Sequence, residues 1–200
     1  MGSLAKHNLK QIRSQFDCKF LVETGTGMGI SAAIASETFE KVFTIEMHPE
    51  CYKMASGFLK RFQNVKIYNL TSVLGLATIF SDEQPEGYCL FWLDAHFPGA
   101  DYGFAGYGDI KEDEIRLPLK SELKILLQYR NYSNDVFIID DLRLYEKADY
   151  QNGNCVNGDG SEFQYEGISF IEDLFKETHN INRDLRDEGY IVITPKIKNA

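Results

Sequence analysis

Short apolar runs alternate with longer amphipathic segments through most of the chain. "CKFLVETG" precedes "ISAAIASETFE", "KVFTIEM" precedes "PECYKMASGFLKRF", and "VKIYNL" precedes "SVLGLATIF". Apolar runs of strand length separated by segments of helical period predict strands joined by crossover helices, and therefore a mainly parallel sheet. "YCLFWLD", a helix over about 118–130 and "DVFIID" continue the pattern to five strands. Their near-continuous hydrophobicity suits strands covered on both faces.

After Asp141 the pattern breaks. "DYQNGNCVNGDGSEFQYEG" is rich in Gly, Asn and Asp, which predicts a long surface loop within 142–167. "SFIEDLFKETH" then reads as amphipathic, and "NINRDLRDEGYIVITP" as two strands joined near Glu188 and Gly189, an antiparallel edge hairpin. At the other end, "LAKHNLKQIRSQF" predicts a helix within 1–17 that covers either a site or a partner copy. The loop 97–117 mixes Gly, Tyr and Phe in a way unusual for a connector. No internal repeat or low-complexity tract interrupts the chain, and the expectation at this length is a single domain over 1–200.

A composition of 44% hydrophobic residues excludes a disordered or fibrous class. A formal charge of −9 with no basic run argues against nucleic acid as a partner, because phosphate would meet a repulsive net field. Cys18, Cys51, Cys89 and Cys155 are far apart, without C-x-x-C or metal spacing, and read as reduced thiols. The N-terminus lacks the apolar core of a signal peptide, and no stretch approaches the roughly 18 apolar residues of a membrane span. A soluble, cytoplasmic protein without a membrane partner is expected.

Candidate chemistry begins at the end of the first strand, "VETGTGMGIS", where Gly25, Gly27 and Gly29 fall in a strand-to-helix turn. Glycine there permits positive φ and lets a ligand lie on the backbone, although tight turns of this kind need glycine for structure alone. A dinucleotide fingerprint would require glycine at Ile30, which counts against a nicotinamide dehydrogenase. Glu23, just ahead of the turn, suits an ammonium group better than a pyrophosphate. Glu46, at the tip of the second strand, can accept both hydroxyls of a ribose. One acid for an amine and one for a ribose fits S-adenosylmethionine.

E-x-G-x-G-x-G with an acid closing the second strand resembles the class I S-adenosylmethionine-dependent methyltransferases. The resemblance spans roughly 18–195. It implies an α/β fold, Rossmann-like and doubly wound, with a seven-stranded sheet in the order 3-2-1-4-5-7-6 and strand seven antiparallel. By the same likeness, Glu23, Thr24, Gly25, Thr26, Gly27 and Gly29 meet the methionine portion. Glu46 and Met47 meet the ribose. Thr71 and Ser72, in "NLTS", lie by the adenine, Ser72 being equally suited to cap the next helix.

In such a sheet the fourth and fifth strands are neighbours, so Asp94, Asp140 and Asp141 converge at its C-terminal edge. Carboxylates so crowded repel one another unless a cation neutralises them, and oxygen-only ligands suit Mg²⁺, with Mn²⁺ or Ca²⁺ as substitutes. This constellation is similar to that of the metal-dependent macrocin-type O-methyltransferases, which act on sugars and related hydroxylated products. That family carries an acidic base two residues beyond its first metal ligand, whereas this chain has His96, an imidazole able to take a hydroxyl proton. The resemblance therefore implies that His96 and Asp94 serve catalysis. It also implies O-methylation of a small-molecule or saccharide acceptor. Because aromatic rings stack on sugar faces, Tyr102, Phe104 and Tyr107 are the candidates to close over it.

Each assignment has a plainer counterpart. Asp141 can cap a short helix at "LRLYEKA", Asp94 can serve the cofactor alone, His96 can be an ordinary loop residue, and 97–110 a plain surface loop. Glu122 can turn from its helix toward the site but reads first as a residue on a solvated helix face, and His7, His48 and His179 as surface residues. With no separate substrate domain visible, acceptor recognition falls to 97–117, to 142–167 or to another subunit of a homo-oligomer. Two other functions fit the same pattern: a metal-independent methyltransferase, and a non-catalytic domain that binds a cofactor or a partner.

Overall fold

The computed structural model describes residues 3–155 and 164–196, so part of the predicted 142–167 loop lies outside the described residues. A short 3₁₀ turn, Leu4–Lys6, precedes α1 (Leu9–Phe16), where one continuous N-terminal helix was expected. Asn8 separates the two by capping α1, its side-chain oxygen accepting from the Gln11 amide at 3.1 Å. The chain then alternates: β1 (Cys18–Thr24), α2 (Ile30–Ser36), β2 (Lys41–Ile45), α3 (Pro49–Leu59), β3 (Val65–Tyr68) and α4 (Ser72–Thr78). The last of these runs on into a π-helical turn, Ile79–Glu83, before β4 (Tyr88–Leu93). Then follow α5 (Asp113–Arg116), α6 (Leu119–Tyr129), β5 (Val136–Ile139), α7 (Ser169–Phe175), β6 (His179–Asp184) and β7 (Tyr190–Pro195).

The seven strands form one sheet in the order β3-β2-β1-β4-β5-β7-β6. Pairs from β3 to β5 are parallel, and β7 runs antiparallel to both β5 and β6. The expected order and the terminal hairpin are both observed. The order reverses between β1 and β4, and in open α/β sheets that reversal opens a crevice beyond the strand C-termini.

Alternating side chains of each strand feed two apolar layers. On one face Phe43, Phe91 and Phe137 pack with Leu123 of α6 and Phe175 of α7. On the other, Leu21, Trp92, Ile138 and Tyr190 pack with Leu4, Ala32 and Ala35. Two histidines expected at the surface belong to these layers. His179 is buried, its ring edge-on to Phe175 at 5.1 Å and its Nε2 3.0 Å from the Asp135 carbonyl. The half-buried His7 wedges against Tyr190 at 4.9 Å and Trp92 at 5.9 Å. Local polarity hides such positions because aromatic neighbours arrive from distant strands.

The sheet's two open edges carry charge. On β3, Lys66 pairs with Glu83, which the π-helical turn delivers and which also holds Lys41 at 2.7 Å. On β6, Arg183 pairs with Glu146 at 2.6 Å and Glu172 at 3.2 Å.

One buried ion pair fixes the start of β4 and β5. The Arg130 guanidinium donates to both oxygens of Asp135, at 2.6 and 2.7 Å, and Asp135 also accepts the Cys89 amide at 2.8 Å. Asp135 is fully buried, and removing one partner of such a pair leaves an uncompensated charge. Asp135→Ala is therefore expected to destabilise the fold by about 3–5 kcal/mol, read as a lowered midpoint of urea denaturation.

Candidate active site

A cavity of about 640 Å³ opens at the reversal between β1 and β4. Gly25, Thr26, Gly27 and Met28 form one wall, Glu46 and Met47 the next, and Thr71 and Ser72 a third. Asp94, His96 and Tyr102 line it from the segment after β4, and Ser3 and Leu4 from the N-terminal segment.

Gly25 has φ +81°, and a Cβ there would overlap the Asp94 carbonyl, so only glycine lets this turn lie on the tip of β4. Glu46 holds the neighbouring turns: its Oε2 accepts the Gly27 amide at 2.8 Å and its Oε1 the His48 amide at 2.7 Å. Burial raises its pKa while these amides oppose the rise.

Glu23 does not face the cavity. It is fully buried; one oxygen accepts the Ser31 hydroxyl and the other the Thr44 hydroxyl at 2.5 Å, and Thr44 meets Thr26 at 2.5 Å. Burial pushes the Glu23 carboxyl up to about 7 against the pull of both hydroxyls. This acid laces β1, β2 and the start of α2 together beneath the turn. Thr24 is likewise buried behind the wall, its hydroxyl accepting the Asp94 amide at 3.4 Å, and Gly29 packs its backbone on Leu59.

The acidic tips converge. Asp94, His96 and Asp140 each bring a ligand-type atom within 4.8 Å of the others. Asp94 and His96 line the cavity, while Asp140 and Asp141 are buried behind them. Asp140 Oδ1 has no hydrogen-bond partner. Asp141 adopts a left-handed backbone, φ +55°, and meets His96 Nε2 at 2.9 Å and Arg143 Nε at 3.2 Å. It precedes a 3₁₀ turn, Leu142–Leu144, without a side-chain cap. His96 Nδ1 lies 3.5 Å from Asp94.

Burial and the Asp140 charge raise the Asp94 pKa well above the carboxylate range. Burial raises Asp140 as well, with the Asp141 charge adding to it. Burial alone would lower His96, but Asp141, Asp94 and Asp140 outweigh it and lift the imidazole to about 10. Burial works against Asp141 too, yet His96 and Arg143 hold it below its ordinary value. The imidazolium is thus the cluster's internal counter-ion.

The loop 97–117 is more ordered than a plain connector: it holds a 3₁₀ turn, Ala100–Tyr102, and α5. Tyr102 lies on the glycine turn, Phe104 stacks on His48 with rings 5.4 Å apart, and Tyr107 is exposed against Phe97.

Glu122, expected on a solvated face, is 1% exposed. It shares a helix face with Leu119, Leu123 and Leu126, a period that the sequence does carry. The Ser72 and Thr24 hydroxyls partner it, and Oε1 is left without a hydrogen bond. Ser31, Trp92, Ser3 and Leu4 also line the cavity without having been anticipated. Trp92 had a signal, since two residues before Asp94 on a strand means the same face. Ser3 and Leu4 belong to the N-terminal segment, for which covering a site was one of two expectations.

No protein-family model matches the chain, and no curated protein matches it. Solved structures do. A Podospora anserina methyltransferase, PaMTH1, with bound S-adenosylhomocysteine superposes with a TM-score of 0.57 at 15% identity, covering 94% of this chain and 76% of that one. A Bacillus cereus O-methyltransferase in complex with the same compound gives 0.57 at 14% identity, covering 94% and 79%. The fold is that of the class I methyltransferases. An rRNA methylase from Streptococcus thermophilus shares this methyltransferase fold at 0.53, with 11% identity and 99% of each chain covered. The fold therefore leaves the acceptor to be argued from the site. No helix among the described residues is long and apolar enough to cross a membrane.

Burial pushes the Glu122 carboxyl from 4.5 up to about 7, so the native state keeps a proton that the unfolded chain has released. Its contribution to stability is accordingly fullest below about 4.5 and declines as pH rises toward 7, by about 3 kcal/mol in all. Glu122→Gln is expected to melt higher than the parent chain at pH 8 and close to it at pH 4.5, as read by thermal unfolding at both values.

Proposed function

We propose that this chain transfers the methyl group of S-adenosylmethionine to a hydroxyl of a sugar or similar small polar acceptor, assisted by a divalent cation such as Mg²⁺. The observation that carries the reading is the acid cluster in the wall of the cavity that Gly25, Gly27 and Glu46 also line. The residues fit a hard cation: Asp140 offers a buried oxygen without a partner, and Asp94 is strained by burial and by its acidic neighbour. Asp94 and Asp140 would hold the ion, with Asp141 joining them as its bond to His96 is exchanged.

When bound, the sulfonium supplies an already activated methyl group, and the cation supplies Lewis acidity toward the acceptor hydroxyl. The chain's own residues have to position and to move one proton. The turn at Gly25 and Gly27 gives bare backbone for the methionine portion, and Glu46 presents its carboxylate to the ribose. Thr71 and Ser72 stand at the adenine end. His96 is the proton acceptor: with a cation neutralising the acids in its place, the imidazolium would be free to release its proton, and Nδ1, on the Asp94 side, would then take one from the acceptor. Residues 105–117 and 142–155 contribute the acceptor's surroundings. The acidic net charge favours a small uncharged or cationic acceptor over a polyanion.

One observation favours a second reading. His96 already neutralises the cluster from within, and a protein with such a counter-ion can methylate without metal. Calorimetric titration with S-adenosylhomocysteine, and separately with Mg²⁺ before and after chelation, distinguishes the two. The proposal expects a Mg²⁺ isotherm that Asp140→Asn weakens at least about tenfold, since removing a charged ligand costs more than 1.4 kcal/mol. Homocysteine-product binding without a Mg²⁺ isotherm selects the metal-free reading, and no binding of either rejects methyl transfer.

A further inference from the structure

Tyr102, Phe104 and Tyr107 do not act together. Tyr107 is exposed; its ring meets Phe97 edge-on at 5.3 Å and its hydroxyl donates to Asp101 at 2.5 Å. Tyr102 lines the cavity, with its hydroxyl where a Gly27 Cβ would stand and accepting from the Met28 backbone. Phe104 lies nearly parallel to the His48 imidazole, at 5.4 Å and 13°. The backbone of Gly99 presses on the same imidazole, leaving no room for a side chain.

Gly27 and His48 are also the two residues whose amides hold the Glu46 carboxylate. The segment thus rests on both turns whose amides hold Glu46.

We propose that Tyr102 and Phe104, with His48, form a cover over the donor half of the cavity and not a contact for the acceptor. On this assignment, which rests on the proposed donor site, the donor enters and its product leaves only when residues 99–104 lift.

The construction of the segment suits that role. It is internally tied: Phe104 and Tyr102 donate their amides to the Gly99 carbonyl at 3.0 and 3.3 Å, and Gly103 to Ala100 at 3.0 Å. Its root is anchored where the Phe97 amide donates to the Arg116 carbonyl at 3.0 Å. Gly99 at φ +76° and Gly103 at φ +72° supply joints free of side-chain strain at either end of the 3₁₀ turn. Against the body it rests through the Tyr102 hydroxyl, the Phe104–His48 ring pair and the Gly99 backbone on that same imidazole, contacts individually weak enough to break in each cycle. A compact unit with a fixed root and weak outer contacts moves as a flap.

The sequence contains a single tryptophan, and Trp92 lines this cavity, so its emission reports occupancy without a label. Release of S-adenosylhomocysteine is measured by stopped-flow from the parent chain, Phe104→Ala and Tyr102→Phe, after calorimetry establishes that the parent binds. Phe104 is 42% exposed, so its truncation leaves the core intact. About a tenfold faster release from Phe104→Ala is expected, the loss of one aromatic pair, with a smaller acceleration from Tyr102→Phe. Amide exchange across 99–104 should slow when the product is bound. Release at the parent's rate from both variants, or exchange that the product leaves unchanged, overturns the cover alone. A parent chain that binds no product by calorimetry overturns the cover and the donor site together.

Discussion

The β1–α2 turn lies on the tip of β4 through bare backbone, with Gly25 against the Asp94 carbonyl. This contact makes the site possible. It brings the cavity wall built by strand one within reach of the acids built by strands four and five. Any side chain at Gly25 would push the two tips apart and separate the donor wall from the cluster. Glu23 secures the same contact from below, since its two oxygens are committed to hydroxyls of α2 and β2. An acid that the pattern assigns to a ligand thus serves as a buried tie.

Several carboxyls are gathered beyond the strand tips, and desolvation raises most of them. Glu23, Glu46, Asp94, Asp140 and Glu122 are all shifted upward, burial being the main cause in each. Asp141 alone is held down, because His96 and Arg143 are close enough to overcome burial. Gathering so many buried acids at one edge costs stability, which is how a site differs from a core. The His96 imidazolium supplies the counter-charge that lets Asp94 and Asp141 lie so close together.

Much of this was readable in the sequence. The alternation of strands and crossover helices followed from the apolar runs, the strand order from the resemblance to class I methyltransferases, and the terminal hairpin from the turn residues near Glu188 and Gly189. The convergence of Asp94 and Asp140 followed once their strands were neighbours. What escaped was direction and depth. Whether Glu23 points up into the cavity or down into the sheet depends on Ser31 and Thr44, which only the tertiary fold brings to it. His179 is buried because Phe175 and the Asp135 carbonyl arrive from other elements. Tyr102 sits on the glycine turn through loop geometry that no periodicity encodes. Glu122 is different, for its helical spacing from Leu119 and Leu126 announced a core-facing position.

The charged sheet edges bear on how this chain meets other chains. A strand approaching β3 would have to displace the pairing of Lys66 with Glu83, and one approaching β6 the pairing of Arg183 with Glu146 and Glu172. Both edges also present backbone donors and acceptors that an incoming strand would otherwise use, and charge there is what keeps sheets from growing. Any second copy would therefore have to join through helices or loops, where association leaves the hydrogen-bonded ladder and the crevice above it undisturbed.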